Sequence, residues 1–481
     1  MSDMPLLRSY VDGAWRDGVR VVPDIDPAHP KEEIASSSLA DAGLVADAIA
    51  GAHAAFAKWR ATPAPSRGEI LRRAADLVDE RANEIARDLT REEGKTFSEA
   101  LGETQRAAST IRYYAGQTLE PAGDLYPSHK ARVLLYTRRE PLGVVTVITP
   151  WNFPIMIPAW KIAPALAFGN TVVWKPAELT PLTATHLMKA FTEAGVPAGV
   201  LQLVIGSGSQ IGDALVTHPR VAAVSFTGSN TVGRALQAKA VGSRKAVQLE
   251  LGGKNPAIVL ADADLDMAAE GVARGAFLSA GQKCTATSRV IVAREVMAPF
   301  LERLVARAES WKLGDPLEKD TVVSPLVSAD QRQRVLAFIE GAQGEGARAA
   351  AGGGALRGND GFFVRPTVLV DVRPEHAVAR EEVFGPVASL LPAASFDDAL
   401  GLANDTPFGL SASLYTRDLA TAHRFADEAQ AGIVLVNLET AAAEYHVPFG
   451  GIKDSGAGPH ERGKAAREFL TQDKTVYINT G

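Results

Sequence analysis

Three residues carry the chemistry that this sequence offers most openly: Cys284, Glu250 and Asn152. Cys284 is the only cysteine among 481 residues and lies in GQKCTATS. A free cysteine ordinarily packs as a small hydrophobe. Gln282, Lys283, Thr285 and Thr287 make this segment polar, which predicts a place near a surface or cleft. As a thiolate the sulfur would be a nucleophile, and Lys283 would lower its pKa if the ammonium approached it. A metal cluster is not expected, because there is no second thiol and no histidine pair has ligand spacing. Glu250 in LELGGKNP ends an apolar run and precedes two glycines. Burial there can raise a carboxyl pKa toward neutrality and make a general base, or the residue can be a structural ion-pair partner. Asn152 in TPWNFP sits in a proline-fixed loop, where its amide can serve as an oxyanion donor or form an Asx-turn.

A second set of residues suits a nucleotide. Lys175 in WKPAELTP closes a strand, at the end where open α/β sheets bind ligands. Glu178, three residues on, can accept from a ribose diol, and its charge would repel a 2′-phosphate, favouring NAD over NADP. FTGSNTVG places Ser229 between a strand and a helix, a setting that suits phosphate. GSGSQIG (206–212) has the wrong glycine spacing for a dinucleotide fingerprint. Glycines at strand ends are otherwise turns.

The elements that must position these residues are α/β in texture. Residues 40–116 read as helices, with Leu44, Val45, Ala48, Ile49, Ala52, Phe56 and Trp59 at helical spacing. Ser66 and Glu69 match a capping box opening the next helix, and Gly94 is its expected end. From Gly143 short β-branched runs alternate with helical ones, so a doubly wound parallel sheet is predicted. A second alternating block follows Cys284, with a helix near 295–311 and an exposed Gly/Ala-rich connection at 344–360. The apolar stretch from Val144 to Trp174, interrupted by Pro150, Pro154, Pro158 and Pro164, reads as buried strand and loop rather than a bilayer span. Two close-packed α/β domains are expected, with the cysteine near their junction.

Bulk composition excludes some partners. A net charge of −6 argues against nucleic acid and acidic membranes. One cysteine cannot form an internal disulfide, and the first residues show no basic-then-apolar signal pattern, so a cytoplasmic setting is expected.

Taken in order, TPWNFP, WKPAELTP, FTGSNTVG, LELGGKNP, GQKCTATS and EEVFGP resemble the NAD(P)-dependent aldehyde dehydrogenase superfamily. The likeness runs from YVDGAW to the PFGG-x-K-x-SG pattern at 448–456. It implies a Rossmann-type NAD(P)-binding domain at 1–122 and 142–252 and an α/β catalytic domain at 253–447. A small β oligomerisation element is implied at 123–141 and 448–481, in a homodimer or homotetramer. The resemblance makes Cys284 the nucleophile, Glu250 the general base and Asn152 the oxyanion donor. Lys175 and Glu178 become contacts to the adenosine ribose, Ser229 a pyrophosphate contact, and Glu382 and Phe384 contacts on the nicotinamide side. Trp151 would lend backbone to the cofactor site, and Lys161 would be structural or part of a proton path.

GQKCTATSR with ETAAAEYHVPFGG is similar to the subgroup oxidising α-ketoglutaric semialdehyde (2,5-dioxopentanoate). Such a substrate needs a cation for its carboxylate, and Arg106, Arg112, Arg289 and His446 are the candidates. Succinic semialdehyde and aliphatic or aromatic aldehydes are the competing substrates. A cofactor-independent cysteine esterase would need a histidine partner, and none of the nine histidines has a recognisable nucleophile context. A noncatalytic homologue would lack Cys284, Glu250 or Asn152, and all three are present.

Overall fold

The computed structural model describes residues 4–356, 358 and 360–481. Arg357 and Asn359 of the expected connection, and the first three residues used in reading the amino terminus, lie outside them. The helical region comprises α1 (Ala42–Ala61), α2 (Ala64–Glu80), α3 (Ala82–Glu93) and α4 (Phe97–Gln117). Ser66 does not cap α2: the helix already begins at Ala64 behind Pro63, with Pro65 in its first turn. The capping box instead opens α4, where Thr96 and Glu99 satisfy each other's backbone N–H groups. Gly94 ends α3 in the left-handed conformation, with φ of 97°.

Five strands then alternate with helices: β1 (Val144–Ile148), α5 (Met156–Ala167), β2 (Thr171–Lys175), α6 (Pro181–Glu193), β3 (Leu201–Leu203), α7 (Gly208–Thr217), β4 (Val221–Thr227), α8 (Asn230–Ala240) and β5 (Ala246–Glu250). They pair in parallel in the order β5-β4-β1-β2-β3. Short antiparallel strands at Gly456–Ala457 and Ser9–Val11 extend the two ends of the sheet. Val145 and Val147 pack into one core and Val144 and Ile148 into another, as alternation along a strand requires. Helices cover both faces, so these strands read as continuous apolar runs. The expected loop after β1 contains α5, which tolerates Pro158 in its first turn and Pro164 near its end. Strand order reverses at β1, and its neighbour across the switch is β4; their carboxyl ends are where such sheets bind ligands.

A second sheet follows, built from β6 (Asn255–Val259), then α9 (Leu265–Phe277), β7 (Thr287–Ala293), α10 (Met297–Ser310), β8 (Thr367–Val370), β9 (Val387–Ala393), β10 (Ser411–Tyr415) and β11 (Ile433–Val436). Its parallel order is β8-β9-β7-β6-β10-β11. The Gly/Ala-rich connection is not wholly exposed, because Arg348–Ala351 forms a strand antiparallel to β8 and Ala351 is buried. A third sheet pairs Val133–Pro141 with Leu125–Tyr126 on one side and Thr471–Asn479 on the other. Among the described residues no helix is long and apolar enough to cross a membrane.

Candidate active site

Cys284 lies at the amino-terminal edge of the second sheet, three residues before β7. Asn255 at the start of β6 donates from Nδ2 to the Cys284 carbonyl at 2.8 Å and to that of Ala286 at 2.9 Å. Ahead of the cysteine the chain turns through three successive left-handed residues, Ser279, Ala280 and Gly281. Backbone of that kind persists only where its surroundings fix it. Glu99 of α4 supplies the clamp, accepting from Ser279 N at 2.7 Å and from its hydroxyl at 2.9 Å.

The loop after β1 reaches this segment. Asn152 is buried and donates from Nδ2 to the Gln282 carbonyl at 2.9 Å. An amide carries two N–H bonds, so one donor remains for a ligand. The loop is held from below by Lys95, whose ammonium donates to the Asn152 carbonyl and to Glu103, each at 2.6 Å. Glu103 in turn accepts from Ile155 N and Met156 N, each at 3.2 Å. Both side chains of the Lys95–Glu103 pair are almost fully buried. Lys95→Met would therefore strand a buried carboxylate, a change that costs about 3–5 kcal/mol. Thermal and urea unfolding are expected to show it as a clearly lowered midpoint; a melting temperature within about a degree of wild type would refute the clamp.

Glu250 ends β5 with its carboxyl group buried and Oε2 without a partner. A Cβ at position 450 would lie 2.7 Å from Glu250 Oε1, so Gly450 is what lets the carboxyl group fit. Burial first, and the neighbouring Glu461 second, push its pKa well above the usual carboxylate range. Burial likewise pushes the half-buried Cys284 thiol up to about 12, with Glu382 and Glu250 adding to the effect and Arg462 opposing it. Lys283 does not activate the sulfur: its ammonium donates to the Arg274 carbonyl at 3.0 Å, and the polar residues around the thiol are themselves largely buried.

The remaining expected residues fall into two places. Glu382 accepts from Gly253 N at 3.0 Å, docking its loop on the segment after Glu250, and its carboxyl pKa is pushed by burial to about 7. Trp151 and Phe384 meet edge to face at 5.3 Å, the latter with φ of 55°. Lys175 and Glu178 lie at the end of β2, where Glu178 accepts from Gly208 N at 2.9 Å. Lys175 is buried, its pKa lowered to about 8 mainly by desolvation, and its ammonium donates to the Pro176 carbonyl at 2.8 Å. Ser229 is exposed and caps α8 after β4, and Gly228 N bonds the Glu250 carbonyl at 3.1 Å. An ammonium and a carboxylate at the end of β2, with an exposed helix start after β4 two strands away, form a donor set that fits a dinucleotide.

Sequence reading missed Lys95, Glu99, Glu103, Glu461 and Arg462. Lys161, a sequence candidate, pairs with Glu461 and donates to Ser225 Oγ at 2.9 Å. With Gln248 and Arg462 these groups line a cavity with room for about one water. Of the candidate cations, Arg112 is spent on Asp76 and Asp79 at the surface. Arg289 is buried against the Asp405 carbonyl, and Arg106 and His446 are exposed.

The chain matches the aldehyde dehydrogenase family over residues 15–476. It is 44% identical over 478 residues to an alpha-ketoglutaric semialdehyde dehydrogenase of Bacillus subtilis (strain 168), covering 98% of this chain and 97% of that relative. It is 41% identical to a 2,5-dioxopentanoate dehydrogenase of Saccharolobus solfataricus, over 94% of this chain and 95% of the relative. Among solved structures it superposes on betaine aldehyde dehydrogenase from Staphylococcus aureus in complex with NAD+, with a TM-score of 0.96 and 34% identity, covering 99% of this chain and 95% of that one.

Proposed function

The chain belongs to the aldehyde dehydrogenase family, and from that premise we propose that it oxidises α-ketoglutaric semialdehyde to 2-oxoglutarate through a thioester on Cys284. Membership makes it an NAD(P)-dependent enzyme that converts an aldehyde to a carboxylate. The observation behind the catalytic roles is the meeting of one thiol, one amide with a spare donor and one buried carboxyl group with an unpartnered oxygen. The substrate assignment rests on full-length likeness to two relatives that carry that name.

On this reading the Cys284 thiol gives up its proton to a water molecule and the sulfur bonds to the aldehyde carbon. The carbonyl oxygen becomes an oxyanion, held by the second Asn152 N–H and the backbone N–H of Cys284. A single donor of this kind contributes about 100- to 1000-fold in rate. NAD(P), when bound, supplies the hydride acceptor. Lys175 and Glu178 would hold its adenosine ribose, the α8 start with Ser229 its pyrophosphate, and Glu382, Trp151 and Phe384 its nicotinamide side. The exposed Glu178 carboxylate favours NAD. Glu250 then takes a proton from water, hydroxide adds to the thioester, the C–S bond breaks, and the carboxylate leaves as Cys284 regains its thiol. The Lys161–Glu461 pair and its cavity offer that proton a route away.

By the same reading 1–122 and 142–252 bind the cofactor, 253–447 carry the thiol, and 123–141 with 448–481 join subunits in a cytoplasmic homodimer or homotetramer. Exposed Leu125, Leu134, Tyr477 and Ile478 on the third sheet support the last role. A kcat/KM panel tests the substrate. α-Ketoglutaric semialdehyde is expected to exceed succinic semialdehyde and pentanal by about tenfold or more. A higher value for pentanal or for an aromatic aldehyde would overturn the assignment.

A further inference from the structure

The proposed substrate ends in a carboxylate; of the four cations named from sequence, Arg112 is ion-paired, Arg106 and His446 are exposed, and Arg289 is fully buried with Nε and Nη2 unpartnered. Arg462 stands near the thiol. Its guanidinium carbon lies 3.7 Å from the ring centre of Trp160 and 4.3 Å from that of Phe449, in the corner these two rings form with their centres 5.9 Å apart. The residue is 4% exposed, yet it forms no ion pair among the described residues, and its Nε has no hydrogen-bond partner. One bond is accounted for, from Nη1 to the Glu444 carbonyl at 3.3 Å.

The adjacent Glu461 does not neutralise it. One Glu461 oxygen is taken by Lys161 and the other accepts from Trp160 Nε1 at 2.7 Å. A buried guanidinium without a carboxylate is an uncommon arrangement, because charges leave water only when paired. The backbone adds to the cost, since Arg462 holds φ of 60°. Phe449 exchanges backbone bonds with Glu461 at 2.7 and 2.8 Å, and the next residue, Gly450, lies against Glu250. The guanidinium is thus tied to the wall of the Cys284–Glu250 site. On its other side, Glu444 leads into Tyr445 and His446, which are exposed, and Tyr445 packs on Tyr113 of α4. Arg462 is therefore tied to the wall of the reacting groups and to an exposed segment.

We propose that Arg462 is the receptor for the substrate's distal carboxylate and fixes the length of semialdehyde acid that presents its aldehyde to Cys284. A planar fork with unspent donors suits bidentate recognition of a carboxylate, and stacking on Trp160 and Phe449 pre-orients it. The inference rests on the substrate reading given above, and the two can fail separately.

In the wild-type protein, kcat/KM measured with succinic, glutaric and adipic semialdehydes and with α-ketoglutaric semialdehyde is expected to peak at the five-carbon acids. A flat profile would overturn a receptor at fixed distance, whether or not any variant folds. Arg462→Gln is expected to lower kcat/KM for α-ketoglutaric semialdehyde about 10- to 100-fold more than it lowers kcat/KM for pentanal. Arg462→Lys, which keeps the charge but not the fork, should recover part of the loss. Equal losses for acid and pentanal would make Arg462 structural, and a loss that follows Arg106→Gln instead would place the receptor on α4. A wild-type preference for pentanal would defeat the substrate reading itself; a wild-type preference for the acid that survives Arg462→Gln would defeat only this inference.

Discussion

Replacing Cys284 with alanine is expected to reduce NADH formation from any aldehyde by roughly 10⁴-fold or more, because no other thiol exists to form the acyl intermediate. The fold should survive, since the side chain is half-buried and accepts no structural hydrogen bond. NAD binding, followed by fluorescence or calorimetry, should therefore be retained; turnover that persists would end the covalent mechanism. The intact protein gives a matching test. Its thiol pKa is pushed to about 12 by burial and by the nearby Glu382 and Glu250 carboxyl groups. A raised thiol pKa leaves little thiolate at neutral pH, and the fraction grows about tenfold per pH unit until that pKa is reached. Iodoacetamide labelling of the free protein should then rise about tenfold per pH unit from 8 to beyond 10, whereas an ordinary thiol is half ionised near 8.5 and levels above it. With one cysteine, incorporation reports this site alone. A plateau near neutrality would mean a thiolate already present at rest.

The parallel strands around the site were legible because each is buried on both faces and reads as one apolar run. The same burial hid α5: a helix apolar all round, with two prolines, offers no stripe that distinguishes it from strand and loop. Ser66 and Glu69 matched a cap by residue type, but Pro65 had already set the helix start upstream. At the site, the residues proposed to react were picked out by their neighbours in sequence, whereas those that hold them were not. Lys95 meets Asn152 across 57 residues, Glu99 meets Ser279 across 180, and Glu461 meets Lys161 across 300. Each is an ordinary charged residue until the fold supplies its partner. Lys283 is the converse, next to the thiol in sequence and bonded elsewhere in space. Adjacency along the chain says little about which charge a buried group feels.

Glu250→Gln is expected to separate the two halves of the reaction. The amide keeps the shape of the carboxyl group and its place against Gly450, but cannot take a proton from water. A burst of NADH approaching one per active site should be followed by steady turnover about 10²- to 10⁴-fold slower than wild type. Intact-mass measurement should find the acyl group on Cys284 during the slow phase. The pH dependence has a definite sign. Burial and Glu461 raise the Glu250 pKa well above the usual range, while Lys161, Arg462 and the Gly451 backbone pull it down less strongly. Below that raised pKa the group is protonated and cannot act as base, so wild-type steady turnover should rise as the pH passes upward through it. That limb should vanish in the glutamine variant. If the burst itself is lost, Glu250 acts on the thiol before acylation and the deacylation role is wrong. Hydroxylamine attacks a thioester without help from a base, so adding it should restore turnover to Glu250→Gln and leave Cys284→Ala inert.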